Sequence, residues 1–542
     1  MRLLTTAILP LLSLAYASTQ QPLNDGTAST QYSYILVGSG AAGSVLADLL
    51  SSPGEPTLLL EAGPRSTYAS GGRETPAWLH NHPLTRFDVP AFFGTFSHQC
   101  PDIPVPAACV LGGGTAINSG IWFLPAERDW DGFGGQWKER VAVAVARVKH
   151  RIPGRSEKSW FQEAWSVLGM MARGAGCTRA EEGETAGDRR YARVPFMSIS
   201  GERGGPLQAY YLRAAQRGNF RIVFGARVER VLRDGGTATG VEYIQDGERR
   251  IAMLKEGGKV VLSAGAFGSP KILWQSGIGT RDQLEIVRAA KGSEGIVDEK
   301  DWIDLPVGYN LMDHPATYAV FKYPGVGEAY NYSDAYDNPN PQDAQKYLDH
   351  RTGPLASSNA RITLWQNIPG RDGASRTLQW TGRTSAFHNF TGPDLLLMTN
   401  YLSSGQTSRG RISLTPELNL IIYESPYLVT EEDTAAVIRS FHDVLAGVKA
   451  VPGLELLLPD LESTTIEEYV RGSTEGRGSN HWLGTAAVGK VVDVNAKVIG
   501  MRNLYVVDAS IFPGMVASNP VGAIVVMAEV AAEGIVADEG DL

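Results

Sequence analysis

The residues best suited to chemistry lie near the C-terminal end, in Ser479-Asn480-His481-Trp482 and Ser518-Asn519-Pro520. The strand-like run Asn503-Leu504-Tyr505-Val506-Val507-Asp508-Ala509-Ser510 stands between them. An imidazole titrates near neutrality and can take a proton from a hydroxyl. A carboxamide beside it can hydrogen-bond the same oxygen and hold the carbon in place. The plainer alternatives are a structural histidine and, for Ser479 and Asn480, a capping turn. The chemical reading requires a reactive group opposite.

The other end of the chain suggests that group. Tyr32 to Val37 is a β-branched and aromatic run that meets Gly38-Ser39-Gly40-Ala41-Ala42-Gly43. Ser44 to Leu50 then has helical spacing, and the apolar run Thr57 to Leu60 ends in Glu61-Ala62-Gly63. In a strand–turn–helix–strand unit, Gly38 permits the tight turn, Gly40 close approach to a pyrophosphate, and Gly43 close helix packing. The helix N-terminus favours phosphate charge, and Glu61 can accept hydrogen bonds from ribose hydroxyls. Glycines alone are weak evidence, but the flanking elements favour a dinucleotide site over an ordinary turn. A second glycine cluster, Leu111-Gly112-Gly113-Gly114-Thr115-Ala116-Ile117-Asn118, reads equally as a flexible loop or as another close backbone approach.

The elements that must position these residues span 542 residues, too long for one ordinary core, so two closely joined domains are expected. The net charge of −9 argues against nucleic acid. Arg2, the apolar run Leu3 to Leu14 and Ala15-Tyr16-Ala17 read as a signal peptide over residues 1–17, with a polar lead-in over 18–31. That run is too short to span a bilayer comfortably, so no membrane anchor is expected. The three cysteines have no zinc-site spacing. In an oxidising compartment Cys100 and Cys109 can close a short loop, leaving Cys177 unpaired. Asn331-Tyr332-Ser333 and Asn389-Phe390-Thr391 are glycosylation sequons.

Strand–helix alternation fades from about Pro125 to Ser200 and resumes at Arg221 to Phe224, Val228 to Leu232 and Lys259 to Leu262. Ser263-Ala264-Gly265-Ala266 then offers small residues for a backbone packed against a cofactor. Thr377 to Gly382, Leu395 to Asn400 and Ile412 to Thr415 read as strands of a mostly antiparallel sheet. The expected organisation is a discontinuous α/β nucleotide domain over 32–125, 201–300 and 476–542, and an α+β substrate domain over 126–200 and 301–475. Pro520 suits the first turn of a helix expected to run through Val536.

These motifs together resemble the glucose–methanol–choline (GMC) flavoprotein oxidoreductases along nearly the whole mature length. The carrying stretches are Gly38 to Gly43 with Glu61, Gly112 to Asn118, Ser263 to Gly279, Leu305 to His314, and His481 to Asn519. Within the family the chain is similar to the flavodehydrogenase group of fungal cellobiose dehydrogenases, on Pro195-Phe196-Met197, Gly201 to Pro206, Asp337 to Asn340, Ser479 to Trp482 and Val507 to Met515. That group's N-terminal haem domain is not expected, because the nucleotide motif follows the leader directly. The Cys100–Cys109 spacing also fits the group's disulfide. Two departures fall near the expected pocket mouth. The loop after Gly484-Thr485-Ala486 is short, and Gly94 stands where an acidic sugar-binding residue is expected.

The resemblance implies a Rossmann-like FAD domain and a secreted enzyme oxidising an alcohol or sugar, with oxygen, a quinone or a redox protein as acceptor. His481 is then the base and Asn519 the positioning amide, with Ser479 and Asn480 on neighbouring hydroxyls. FAD contacts are implied at Gly38 to Gly43, Glu61 and Ala62, and at Gly112, Gly113, Gly114, Thr115 and Asn118. They are also implied at Val228, Ala264, Gly265, Asp508, Ala509, Asn519 and Pro520. The helix from Pro520 can aim its positive end at the flavin. Ile117 stands where some members carry a histidine bonded to flavin, so FAD is expected to be non-covalent and no metal is expected. Three rivals remain: a tailoring oxidase or dehydrogenase for an aromatic or hydrophobic alcohol, a lyase holding FAD without redox turnover, and a non-catalytic binding protein. The presence of both His481 and Asn519 argues against the last.

Overall fold

The computed structural model describes residues 30–94, 98–156, 158, 162–181, 187–291, 297–473 and 476–538. The leader expected at 1–17, most of the lead-in, and Thr95 and Phe96 lie outside the described residues.

The strand Gln31–Val37 is buried on both faces, as its unbroken apolar run requires in a parallel sheet. It pairs in parallel with Thr57–Glu61 on one side and with the end of the long strand Glu248–Leu262 on the other, so that Val37 lies between Leu60 and Leu262. Phe220–Phe224 extends the sheet beyond Thr57–Glu61, and Leu504–Val506 pairs with Val260 to Leu262. The first half of Glu248–Leu262 runs antiparallel to Thr237–Gln245, which pairs with Arg227–Asp234. The carboxyl ends of the parallel strands thus converge on one edge, where open α/β sheets bind ligands. The helices Ala41–Ser51 and Val521–Ala537 pack on each other under this edge.

A second sheet, antiparallel over six strands, runs in the order Glu455–Leu458, Ala316–Lys322, Leu395–Leu402, Ser375–Thr384, Ala360–Pro369, Arg190–Arg193. Thr178–Arg179 adds a parallel edge. One face carries Leu364, Leu378, Trp380 and Met398 into a core shared with the helices Gln162–Gly174 and Glu431–Leu445. Strand alternation sends Trp365, Gln379 and Tyr401 to the other face, toward the first domain.

Two boundaries differ from the sequence reading. Trp130, Phe133 and Trp137 pack on one another and on Phe512, within the first domain's core. The helix Gly135–Arg151 lies along Val521–Ala537, tied by Arg147 to Glu529 at 2.8 Å. Residues from Ala126 to Ile152 therefore belong with the nucleotide domain, because their aromatic faces are buried there. The strand expected at Ile412 to Thr415 forms, as Gly410–Leu414, in a separate small sheet with Tyr309–Leu311 and Leu420–Glu424. Its apolar side joins the first core through Leu311, Ile412 and Leu420.

Candidate active site

A cavity of about 970 Å³ runs from the glycine turn after Val37 to His481 and Asn519. At the glycine end, Gly38 has φ +90, and a Cβ there would approach the Ser263 carbonyl oxygen to 2.6 Å. A Cβ at Gly43 would lie 1.9 Å from the Gly38 carbonyl oxygen. Both positions require glycine for backbone packing. A Cβ at Gly40 would meet nothing within 4 Å, so this residue opens on the cavity. Ser39 donates to Glu61 through its N–H at 2.9 Å and its hydroxyl at 2.5 Å, and Gly63 N–H donates at 2.7 Å. Burial raises the Glu61 pKa and these three bonds oppose the shift. Ala41 and Ala42 begin the helix Ala41–Ser51, whose first N–H groups lack intrahelical acceptors and suit a phosphate.

The remaining expected contacts divide. Ala62, Gly113, Gly114, Thr115, Asn118, Val228, Ala264, Gly265, Asp508, Ala509 and Pro520 line the cavity. Gly43 and Gly112 do not. Gly43 is spent on helix packing, and Gly112 donates its N–H to Ser39 Oγ at 3.2 Å. Asn118 is clamped by Arg203, which donates to its backbone oxygen at 2.6 Å and its Oδ1 at 3.2 Å. Asp508 accepts from Gly265 N–H and from the Ser269 and Ser510 hydroxyls, against the upward pull of burial on its pKa. Cys100 and Cys109 are disulfide-bonded, and the segment they close walls the cavity. Asp102 on it meets Lys271 at 2.5 Å. Cys177 is free and buried.

At the other end a buried carboxylate builds the site. Asp313 accepts from the backbone N–H groups of His314, Ser479, Asn480 and His481, and from the hydroxyls of Ser479 and Tyr427. Asn480 takes a left-handed φ of 59 within this loop. Ser479 is thus held by Asp313, and its hydroxyl is engaged there.

The imidazole protons follow from the partners. His314 Nε2 lies 3.0 Å from the Val516 carbonyl oxygen, which only accepts, so Nε2 carries hydrogen. Neutral His314 therefore accepts at Nδ1, where His481 Nδ1 stands 2.8 Å away and must donate. That leaves the lone pair on His481 Nε2, where it accepts from Asn519 Nδ2 at 3.1 Å. Asn519 Oδ1 in turn accepts from Gln379 Nε2 at 2.9 Å. Burial pushes His481 down to about 4, and burial with the neighbouring His481 pushes His314 down to about 3. The sequence leads one to expect the ordinary histidine range of about 6–7, shifted by burial; the shift is downward because protein packs around most of the ring.

His314, Asp313 and Gln379 carried no assigned role in the sequence reading. The pair Asp313-His314 follows the apolar Leu311-Met312, a polar interruption inside a buried run that could have signalled it. Gln379 sits among alternating threonines and apolar residues and gives no such signal.

The cavity fits FAD on three grounds: a backbone cradle open at Gly40, a helix N-terminus facing it, and a second end with a hydrogen-bonding histidine and amide. Two family models described as GMC oxidoreductase match residues 32–316 and 406–528. The chain is 27% identical to an alcohol dehydrogenase [acceptor] of Pseudomonas putida, covering 93% of this chain and 96% of that protein. It is 28% identical to the mitochondrial choline dehydrogenase of Mus musculus, covering 93% and 89%. An FAD-dependent oxidoreductase from Chaetomium thermophilum has the same fold, with a TM-score of 0.73 at 20% identity, covering 93% of this chain and 99% of that one. The chain belongs to the GMC oxidoreductases, a family of FAD-binding enzymes.

Proposed function

We propose that this protein oxidises the hydroxyl group of a small neutral alcohol or sugar. The observation that carries the reading is the polarity of the hydrogen-bond chain, which leaves the lone pair of His481 Nε2 beside the Asn519 amide. His481 takes the hydroxyl proton at Nε2, while Asn519 Nδ2–H donates to the same oxygen and orients its carbon. The Nδ1–H of His481 keeps its bond to His314 Nδ1, which stabilises the charge that His481 gains. FAD, when bound, supplies the acceptor for the hydride leaving that carbon. Gly38 to Ala42 and Glu61 would hold its nucleotide half, and the N-terminus of the helix Val521–Ala537 adds positive potential at the other half. Ile117 lines the cavity and has no nucleophilic atom, which supports non-covalent attachment.

Phe93, Ile117, Ser119 and Ile121 line the cavity, and Ile121 packs with Trp365 and Ala517 beside Asn519. None of these carries a charge, which favours a neutral substrate over a choline-like cation. The kinship to cellobiose dehydrogenases is part of this proposal. The apolar residues favour a second reading, an aromatic or hydrophobic alcohol. Secretion is also proposed, supported by the leader pattern and by a disulfide, which persists in oxidising compartments. Asn331 and Asn389 are exposed and suit glycosylation there. The test is anaerobic mixing of the purified yellow protein with sugar and aryl-alcohol panels, followed by readmission of oxygen. Bleaching by at least one alcohol is expected; a flavin unchanged by every alcohol would indicate a non-redox relative. Which panel bleaches decides the substrate class, and reoxidation by oxygen identifies an oxidase.

A further inference from the structure

Gln379 lies on the strand Ser375–Thr384 and is 0% exposed, with Trp365 and Tyr401 as its register partners on the neighbouring strands. Its Nε2 donates to Asn519 Oδ1 at 2.9 Å and to Thr381 Oγ1 at 3.2 Å. Its Oε1 is buried with no hydrogen-bond partner among the described residues. A buried amide normally satisfies both ends, so this arrangement spends the donor end on Asn519 at the expense of the acceptor. The orientation follows from the far end of the chain of bonds. The Val516 carbonyl fixes His314, His314 fixes His481, and a neutral His481 accepts only from Asn519 Nδ2. Asn519 must then present Oδ1 to Gln379, and only a donor completes the series.

We propose that Gln379 is a positioning residue, which holds the Asn519 amide in the one orientation that keeps a lone pair on His481 Nε2. It acts through Asn519 and has no contact with His481 in the chain of bonds described. The inference rests on the proposed roles of His481 and Asn519.

Gln379→Glu tests it with almost no change in shape. A carboxylate cannot donate, so Asn519 would turn its Nδ2 toward it and its Oδ1 toward His481. His481 would then move its hydrogen to Nε2, giving up its bond to His314 Nδ1, and lose the acceptor at the reacting position. Protonating the introduced carboxyl restores a donor and the original order. The nearby titratable or charged groups are Tyr401 on the adjoining strand, Arg128 on Thr377, His481 and His314 beyond Asn519, and Asp129, which burial raises to about 7 and which accepts from Ala517 N–H. The wild type carries all of these, so the test is the difference between its pH profile and that of Gln379→Glu.

The experiment is stopped-flow reduction of the flavin-containing enzyme by a saturating alcohol as a function of pH. For Gln379→Glu we expect at least a tenfold loss at pH 8 that shrinks as the pH falls, the opposite slope to wild type. Gln379→Met, which cannot donate at any pH, should show at least a tenfold loss in kcat with no recovery. It also keeps the test open if the buried carboxylate prevents folding. Nitrogen-15 spectra of labelled histidine, with His481→Ala to assign the signal, should show a hydrogen-free Nε2 in the wild type and a protonated one in Gln379→Glu at pH 8. Wild-type reduction in Gln379→Met, or wild-type reduction and tautomer in Gln379→Glu at pH 8, would overturn the proposal. His481→Ala in the same series separates the two ideas: full activity there sinks the base assignment, whereas a dead His481→Ala beside unimpaired Gln379 variants sinks only this inference.

Discussion

At the glycine end of the cavity the decisive contacts are local: Ser39 and Glu61, 22 positions apart, join the two strands that flank the turn. At the histidine end they span the chain. His314 meets His481 across 167 positions, Gln379 meets Asn519 across 140, and Val516 meets His314 across 202. The first end is shaped by backbone sterics, which a run of small residues declares. The second is shaped by hydrogen-bond direction, which belongs to side chains brought together by two sheets.

The largest expected effect lies at the histidine end. His481→Ala should retain flavin and fold but reduce it about 10²–10⁴-fold more slowly, in the range of general-base assistance. Stopped-flow bleaching measures this, and near wild-type reduction would leave the histidine end without its chemistry. Asn519→Ala should slow bleaching while leaving the pH profile's acid limb in place, and its loss should not add to that of His481→Ala, because both are proposed to act on one oxygen.

Acid titration is the next. His481 and His314 are held neutral, at about 4 and about 3, against an ordinary value of about 6.5 in the unfolded chain. Below that value the unfolded chain binds protons that the native state refuses. Their contribution to stability is therefore complete above about pH 6.5 and declines as the pH falls toward 4. Chemical denaturation from pH 8 to 4.5 should show this decline. A His314→Gln variant should show a shallower one, and an unchanged slope would mean that His314 is not the buried neutral ring described.

Opening the Cys100–Cys109 loop comes third, at roughly 2–3 kcal/mol on the loop-entropy account. Cys100→Ser should lower the melting temperature and loosen flavin retention, because the closed segment walls the cavity. Peptide mapping without reduction should recover the linked pair and an alkylatable Cys177 only after unfolding.

The smallest effects separate two glycines within one turn. Gly43→Ala forces a Cβ against the Gly38 carbonyl and should destabilise the fold by about 1–3 kcal/mol. Gly40→Ala meets no protein atom, so it should melt within about 0.5 kcal/mol of wild type, yet bind FAD more weakly. Equal behaviour of the two in melting and flavin titration would erase the distinction between packing glycine and contact glycine.

This contrast also marks what could be read from the chain. The turn at Gly38, the strand ending at Glu61 and the closing helix after Pro520 announce themselves through composition and period. Trp130 and Trp137 misled, because aromatic residues without alternation resemble a separate domain until the helix Gly135–Arg151 is seen lying on Val521–Ala537. The role of Gln379 was hidden, since one amide in an alternating strand looks like any other polar position. A shift of His481 by burial was foreseeable, but its extent was not: the sequence names an imidazole, not how much protein packs around it.

The six hydrogen bonds accepted by Asp313 have a kinetic consequence. Five of them come from residues more than a hundred positions later in the chain, so the loop carrying Ser479 to His481 gains its shape only after a long segment has closed on itself. Closure of such loops is entropically opposed until many other contacts exist. During renaturation, helical signal and burial of tryptophan should therefore return before catalytic competence. The interval between them measures how late the carboxylate finds its donors.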